Sequence, residues 1–254
     1  MSTIRAAGLS ALAILLGACA GDITRELPSG AAAAMEEQAR ACDSGDAYAC
    51  TNVGAFYEAG ESIDVDLQRA AALYDRGCTG GAMLGCTNLA EMYREGAGGE
   101  RDAVRAADLY ERACAMGENP GCMHLGEMLL TTELGAPDLE RADELLERSC
   151  RSLLYEACHV LGSAVEAHDP ERAHELHRSA CSGGTAIGCR KQAELYLAER
   201  VSTGDRERAG ELLVRACLGE DRIACGRVAD LLEDGPVAGN DPGEAQRYRE
   251  RAQE

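Results

Sequence analysis

The sequence predicts an all-α fold, a right-handed α-solenoid (α/α superhelix) of about six disulfide-stapled helical hairpins. Twelve of the thirteen cysteines form six pairs, and the two cysteines of each pair are eight positions apart. Successive pairs begin 36, 36, 36, 31 and 36 residues apart, a period typical of stacked helical repeats. One motif precedes most pairs and another follows each pair, and both have the apolar spacing of α-helices.

The second helix of each hairpin is predicted from a motif that begins with Asp and ends with Cys twelve residues later, as in "DLQRAAALYDRGC". Asp is a favourable N-cap because its carboxylate accepts hydrogen bonds from the free N–H groups of the first turn. An Ala four residues after the Asp and a Leu or Tyr seven residues after it form one apolar stripe. The predicted caps are Asp66, Asp102, Asp138, Asp169, Asp205 and Asp241.

The first helix of each hairpin is predicted after the second cysteine of a pair, as in "CTNLAEMY". The third residue after this cysteine is apolar in every copy except one, which has Gln192, and the fourth is always Gly or Ala, which lets a neighbouring backbone approach. A half-repeat at "AAAAMEEQARAC" precedes the hairpins. Within a solenoid domain at 31–254 we expect hairpins at about 47–78, 83–114, 119–150, 155–181, 186–217 and 222–254.

The paired cysteines are predicted to form structural disulfides. The first cysteine ends a second helix and the second begins the next first helix, so the thiols meet across a short turn; for Cys114 and Cys122 we place Asn119 and Pro120 in that turn. Each bridge closes a ring of about nine residues and contributes about 2.5 kcal/mol in the chain-entropy model. The predicted bridges are Cys42–Cys50, Cys78–Cys86, Cys114–Cys122, Cys150–Cys158, Cys181–Cys189 and Cys217–Cys225.

Two other uses of paired cysteines fit this pattern less well. A structural zinc ion needs four converging ligands, whereas successive pairs are separated by a whole hairpin. A thioredoxin-like redox centre uses C-x-x-C, which the sequence lacks. The cysteines therefore favour an oxidising compartment over a metal-binding or redox role.

The N-terminus is predicted to be an export signal at residues 1–18. Arg5 precedes a short apolar stretch that is not long enough to span a bilayer. The sequence "LGAC" favours lipidation of Cys19, followed by a tether at 19–30; the competing interpretation is ordinary A-x-A cleavage before Gly21. We expect a lipid-anchored protein of the periplasm or outer membrane in a bacterial cell envelope, or a secreted one if the A-x-A site is used.

Charge and composition exclude several classes of partner. The chain has 44 acidic and 25 basic residues, for a formal net charge of −19. This charge repels phosphate backbones and anionic lipid, so we expect no nucleic-acid partner and membrane contact only through the lipid anchor. With no Trp and one Phe, the helices must pack through small side chains.

The surface formed by the first helices is the predicted concave binding face for a protein or peptide. If the aligned polar positions face the groove, it is mainly acidic and favours a basic partner. The alternative is that these side chains are ordinary solvated faces of exposed helices. The candidate binding residues are Asn52, Asn88, Glu91, Arg94, Glu127, Glu194 and Asp230.

Four of the five histidines lie in the fourth hairpin, and His168, His174 and His177 are weak candidates for a metal site. His174 and His177 are three positions apart and so share a helix face. The competing interpretation is that His177 takes the core position held by Tyr or Leu in other copies, while the other histidines face solvent. We expect no metal ion and no cofactor.

The combined motif "A-x-x-LY-x-R-A-C" and "GC-x-x-LG/A-x-x-Y" resembles Sel-one-like repeats, which are related to tetratricopeptide repeats. With its cysteine pairs, the chain is similar to the Helicobacter cysteine-rich protein family of secreted, disulfide-linked solenoids. The resemblance covers about residues 31–254 and implies a monomeric scaffold that binds a protein or peptide.

The same resemblance implies an alternative function, because some members of that family are described as β-lactamases or penicillin-binding proteins. A serine enzyme of this type needs S-x-x-K, but the only lysine, Lys191, has Gly188 three residues before it. The S-D-N and K-T-G motifs are also missing. We therefore assign no catalytic residue and favour a non-catalytic scaffold.

Overall fold

The computed structural model describes residues 29–60, 63–201, 206–233 and 242–253, and this part of the chain contains thirteen α-helices and no β-strand. None of these helices is long and apolar enough to cross a membrane. The helices are α1 (Ser29–Asp43), α2 (Ala47–Ala59), α3 (Leu67–Thr79), α4 (Met83–Glu95), α5 (Ala103–Ala115), α6 (Asn119–Leu130), α7 (Leu139–Arg151), α8 (Tyr155–Val165), α9 (Pro170–Ser182), α10 (Ala186–Leu197), α11 (Arg206–Leu218), α12 (Arg222–Glu233) and α13 (Pro242–Arg251).

The helices form consecutive hairpins after α1, which is the predicted half-repeat. We call α2, α4, α6, α8, α10 and α12 the first helices of the hairpins, and α3, α5, α7, α9, α11 and α13 the second helices. The packing of the helices divides the chain into two units, residues 1–113 and residues 114–254.

Unit one is built around the hairpin of α2 and α3. Helix α2 packs against α1, α3 and α4, and α3 packs against α4, so each helix covers the apolar stripe of its neighbours. The core contains a small number of large side chains set among alanines and glycines. The largest buried members of its main cluster are Met35, Tyr57, Tyr74, Leu89 and Met92.

Unit two repeats the arrangement over four hairpins, which pair α6 with α7, α8 with α9, α10 with α11 and α12 with α13. Between hairpins, α7 packs against α8, α9 against α10 and α11 against α12. The first helices α6, α8 and α10 also contact one another in sequence. One face of this unit is therefore lined by consecutive first helices, which is the arrangement that a repeat-protein binding surface needs.

The predicted N-caps are confirmed wherever the structure describes them. Asp66, Asp138 and Asp169 each accept a hydrogen bond from the backbone N–H three residues on, at 2.9, 3.1 and 2.9 Å. Asp102 makes the same contact to Arg105 at 3.0 Å. Asp205 and Asp241 lie outside the described residues.

The six disulfides of the described chain join the predicted pairs, with Cα–Cα distances between 4.4 and 4.7 Å. Each bridge links the end of one hairpin to the start of the next, as the sequence predicts. The α-solenoid of disulfide-linked hairpins is thereby confirmed. Disulfides at this density indicate an oxidising, extracellular or periplasmic environment. Cys19 lies outside the described residues.

The turn after α1 and the five turns between a second helix and the next first helix each contain one residue with positive φ, three positions after the first cysteine. Four of these residues are glycines, with φ between 94° and 100°. The other two are Leu153 at 66° and Glu220 at 67°, where a Cβ atom makes this conformation costly. The prediction that Asn119 and Pro120 lie in such a turn is wrong: both belong to the first turn of α6, where the fixed φ of proline suits a helix.

An arginine two residues before the first cysteine links consecutive repeats in three places. Its guanidinium donates to the carbonyl oxygen of the first cysteine in the preceding pair, which lies at a helix end and also accepts a backbone N–H from the following turn. The contacts are Arg76 to Cys42 at 2.8 Å, Arg112 to Cys78 at 3.0 Å and Arg148 to Cys114 at 3.2 Å. The sequence analysis missed this interaction, although the arginine recurs at a constant spacing.

Candidate binding surface

We call the polar side chains of the first helices the first-helix surface. In unit one this surface is formed by side chains of α2 and α4. Asn52 donates to Gln38 Oε1 of α1 at 3.0 Å. Asn88 hydrogen-bonds Tyr74, whose hydroxyl donates to Glu58 Oε2 and therefore joins the second helix to this surface. Burial, and then the Glu58 carboxylate, raise the pKa of Tyr74, so the phenol stays protonated and acts as a donor.

The remaining predicted residues of unit one, Glu91 and Arg94, form an ion pair along α4 at 3.7 Å. The two carry opposite charges one helical turn apart, so their contribution to the net charge of the surface cancels. Unit one therefore presents hydrogen-bonding groups and a balanced pair, with Glu58 as an additional carboxylate.

In unit two the first-helix surface carries a network of charges centred on Lys191. Its ammonium lies 3.6 Å from Glu166 Oε2 of the neighbouring repeat and 3.4 Å from Glu194 Oε2 of its own helix. Arg190 is almost buried and contacts both Glu194 and Asp221 at 2.8 Å. Arginine and lysine side chains thus pair with carboxylates of this surface, and the mainly acidic groove stays a prediction.

The last two predicted residues, Glu127 and Asp230, contact partners outside this network. Glu127 contacts the ring of His124 on its own helix α6, at 3.2 Å. Asp230 of α12 lies 3.9 Å from Arg249 of α13, a helix that the sequence analysis did not connect with the surface. The predicted residues are all on first helices, but Asp230 contributes to the end of the unit instead of to the central network.

The histidines of the fourth hairpin occupy three different environments. His177 is completely buried, where burial and then the charge of His159 lower its pKa to about 3. His174 is also buried and its Nε2 lies 2.7 Å from the Tyr196 hydroxyl, while His168 is exposed. His177 thus takes the core position that Tyr or Leu occupies in other copies, as one interpretation of the sequence predicted. The same interpretation placed the remaining histidines in solvent, which is wrong for His174.

These histidines do not converge as the metal candidates predicted from the sequence would require. Within the described ranges no group of three His, Cys, Asp or Glu side chains is placed to hold a metal ion. The closest ring neighbour of His177 is instead His159, with ring centroids 5.5 Å apart. The polar Gln192 breaks the apolar pattern of the first helices. It lies 3.1 Å from His174 and gives this buried ring a hydrogen-bond partner.

A further set of contacts was missed because it joins two motifs that the sequence analysis treated separately. The arginine three residues after the Asp cap stacks on the tyrosine seven residues after the second cysteine. The distances from guanidinium carbon to ring centroid are 4.9 Å for Arg69–Tyr57, 5.5 Å for Arg105–Tyr93 and 6.0 Å for Arg208–Tyr196. The contact could have been predicted, because the arginine and the tyrosine each recur at a constant spacing within their motifs.

The fold and its polar first-helix surface define a helical-repeat scaffold, and the comparisons agree. The family described as Sel1 repeat matches residues 47–81, 84–118 and 157–185. Three segments of the chain are therefore Sel1 repeats. No curated protein sequence matches it at a significant level.

Solved structures of the same architecture are similar over most of the chain. A protective antigen of uropathogenic Escherichia coli with an SLR fold has a TM-score of 0.77 at 21% identity, covering 86% of this chain and 48% of that one. A Sel1 repeat protein from Oxalobacter formigenes has a TM-score of 0.76 at 18% identity, covering 86% and 98%. An immunity protein from Pseudomonas aeruginosa has a TM-score of 0.54 at 19% identity, covering 82% and 81%. The chain spans about half the length of the E. coli antigen, and at these identities the likeness concerns the fold.

Proposed function

We propose that the protein is an exported scaffold that binds a protein or peptide through its first-helix surface. The observation that carries this proposal is the contact between polar side chains of successive repeats on this surface, as between Lys191 of α10 and Glu166, which directly follows α8, at 3.6 Å. A partner laid across several first helices meets groups from more than one repeat, held at constant spacing by the disulfides.

Because its charges are paired, this surface favours partners that form hydrogen bonds with it or that replace one member of an existing ion pair. Lys191 contacts two carboxylates, so a partner carboxylate competes with Glu166 or Glu194, and a partner amine competes with Lys191. Complementarity of this kind contributes more to specificity than to raw affinity. A monomeric scaffold is sufficient for this mode of binding.

We propose in addition that the chain is anchored through a lipid on Cys19 after removal of residues 1–18. Support comes from the "LGAC" sequence and from the disulfides, which require an oxidising compartment. We also propose a similarity to the Helicobacter cysteine-rich proteins, which is based only on the same disulfides.

Photo-crosslinking from defined positions tests the binding proposal. A photoreactive amino acid at Asn52 or Glu194 places the probe on first helices, and the same group at Glu175, exposed on the second helix α9, is the control. We expect a discrete protein adduct in cell envelopes from the first two positions and none from Glu175. Equal adducts from all three positions contradict the proposal.

A charge reversal then tests whether the captured partner uses the network. In Lys191→Glu a third carboxylate replaces the cation between Glu166 and Glu194, and we expect about tenfold weaker binding of the purified partner. Arg178→Glu, on the exposed face of α9, is the matched control and leaves binding unchanged. Equal losses in both variants mean that the partner senses net charge and not this surface.

The alternative hydrolase function finds no support in the comparisons or in the described residues. Lys191, the only lysine, is held between Glu166 and Glu194. Incubation of the oxidised protein with a chromogenic cephalosporin gives a direct test. Saturable turnover above a heat-treated control would contradict the scaffold-only proposal.

A further inference from the structure

A cavity in unit one, formed by α1, α2 and α3, lies away from the first-helix surface. Its volume is about 140 Å³, and apolar atoms of Ala39, Val53, Ala72 and Leu73 form most of its lining. The volume suits a single aliphatic side chain and is well below the size of ordinary cofactor pockets. We call it the Arg69 pocket, after the arginine in its wall.

The polar side chains of the Arg69 pocket are two arginines, one tyrosine and one aspartate. The Arg69 guanidinium donates to the Tyr57 hydroxyl at 2.9 Å, and no carboxylate of the described residues pairs with it. The Tyr57 hydroxyl accepts this bond and donates to no described group, although the side chain is buried. The one acidic residue in the lining, Asp43, lies 3.7 Å from Arg76.

The next repeat shows that this arrangement is particular to the first one. One period later, Asp75 and Asp108 replace Ala39 and Ala72. The equivalent arginine, Arg105, pairs with its own Asp102 at 3.3 Å. The first repeat therefore has alanines where its neighbour has acids, and its equivalent Asp66 accepts a hydrogen bond from the Arg69 backbone N–H at 2.9 Å, with no ion pair to the Arg69 guanidinium among the described residues.

We propose that the Arg69 pocket binds the C-terminal residue of a partner peptide. The aliphatic side chain packs against Val53 and Leu73, and the terminal carboxylate accepts hydrogen bonds from the Arg69 guanidinium and the Tyr57 hydroxyl. Carboxylates are the anions that a guanidinium binds best through paired N–H groups. The small volume excludes a long acyl chain or a nucleotide. The exposed Arg76 and Asp43 line the open side of the pocket, where the rest of the peptide would extend into solvent.

This inference rests on the proposed function only in taking a peptide as ligand, because it uses none of the first-helix residues. The test uses the oxidised mature chain and two probes, acetyl-Gly-Gly-Leu with a free carboxylate and the same peptide amidated. Binding is followed by the amide NMR shifts of Val53, Tyr57 and Leu73. We expect saturable binding of the acid, and binding of the amide weaker by about tenfold because it loses a charge-assisted hydrogen bond.

Three variants test whether the peptide binds at the Arg69 pocket. Arg69→Gln should weaken binding of the acid by about tenfold, and Arg105→Gln, the same position one repeat later, should leave it unchanged. Ala72→Asp introduces the residue found at Asp108, so the fold accommodates it while the carboxylate repels the ligand. This variant keeps the test valid if Arg69→Gln does not fold.

Four results would overturn the inference: no saturable shift at millimolar peptide, equal binding of acid and amide, no loss in Arg69→Gln and Ala72→Asp, or an equal loss in Arg105→Gln. Isovalerate is the remaining probe. If it binds as tightly as the peptide, the site takes small carboxylic acids and the assignment to a peptide C-terminus is wrong. Crosslinks from Glu194 are independent of Arg69, so each proposal fails separately.

Discussion

The imidazole of His177 lies directly against Gly162, so a Cβ atom added to that glycine would be 2.8 Å from His177 Cε1. The same relationship joins Tyr74 to Gly54 and Leu146 to Gly126, again at 2.8 Å. In the hairpins of these three glycines the second helix thus places one large side chain where the first helix has none. This contact sets how closely the two helices of a hairpin approach.

Gly162→Ala should destabilise unit two by about 1–3 kcal/mol, because the added methyl group overpacks a completely buried contact. Gly226→Ala is the control, since α12 is helical there and no atom lies within 4 Å of the added Cβ. That change should be neutral or stabilising by up to about 1 kcal/mol. Guanidinium denaturation of the oxidised proteins measures both, and equal effects would contradict the packing argument.

Stability should fall as the pH decreases from neutral, because His177 is neutral in the folded protein. Burial lowers its folded-state pKa from the ordinary 6.5 to about 3, so the unfolded chain binds the proton first. This single histidine should cost about 2 kcal/mol between about pH 7 and pH 5, and the loss continues to about pH 3.

His177→Leu is the matched variant, because leucine occupies the equivalent position at Leu146 and Leu213, both completely buried. Urea unfolding at the two pH values should show a smaller pH-dependent loss in the variant than in the wild type. His159 and His174, whose pKa values burial also lowers, retain part of the dependence. An unchanged pH profile would mean that His177 is solvated in the folded state.

Leu153→Gly should stabilise the protein by about 1 kcal/mol. Leu153 has a φ of 66°, which an L-residue adopts at a cost, and its side chain is 69% exposed, so little packing is lost. The reverse change, Gly184→Ala, should destabilise by a similar amount, because φ is +95° and no neighbour contacts the added atom. Thermal unfolding of both variants checks the sign in each direction.

Replacing Cys114 and Cys122 together by alanine should lower the free energy of unfolding by about 2.5 kcal/mol, the chain-entropy value for a ring of about nine residues. Thiol titration under denaturing, non-reducing conditions is the companion measurement on the wild type. We expect no free thiol from the twelve cysteines that the structure pairs. More than two free thiols in the mature domain would contradict six bridges.

Cys19→Ala should abolish labelling by a radioactive fatty acid and move the protein from the membrane fraction to the soluble fraction of cell envelopes. Mass spectrometry of the mature N-terminus gives an independent result. A terminus at unmodified Gly21 would show ordinary A-x-A cleavage and would rule out the lipid anchor.

Parts of the candidate surface were predictable because they follow from position within one helix. Spacing from a cysteine places Glu127 and Glu194 on first helices, and helical geometry alone pairs Glu91 with Arg94. The pairing of Lys191 with Glu166 was not predictable, since it joins residues of different repeats at 3.6 Å. For the same reason the ion pairs within the predicted acidic groove were not predictable from the sequence.

The sequence by itself determined the repeat, its caps and its disulfides, because each depends on residues close together in the chain. Asp66 meets the N–H of Arg69 within one turn, and Cys42 meets Cys50 across one short connection. Only the tertiary structure decided that His177 is buried without charge and that Arg69 lines a cavity and donates to the Tyr57 hydroxyl. Those outcomes depend on which side chains neighbouring helices bring into contact, and the spacing within a single motif does not encode that choice.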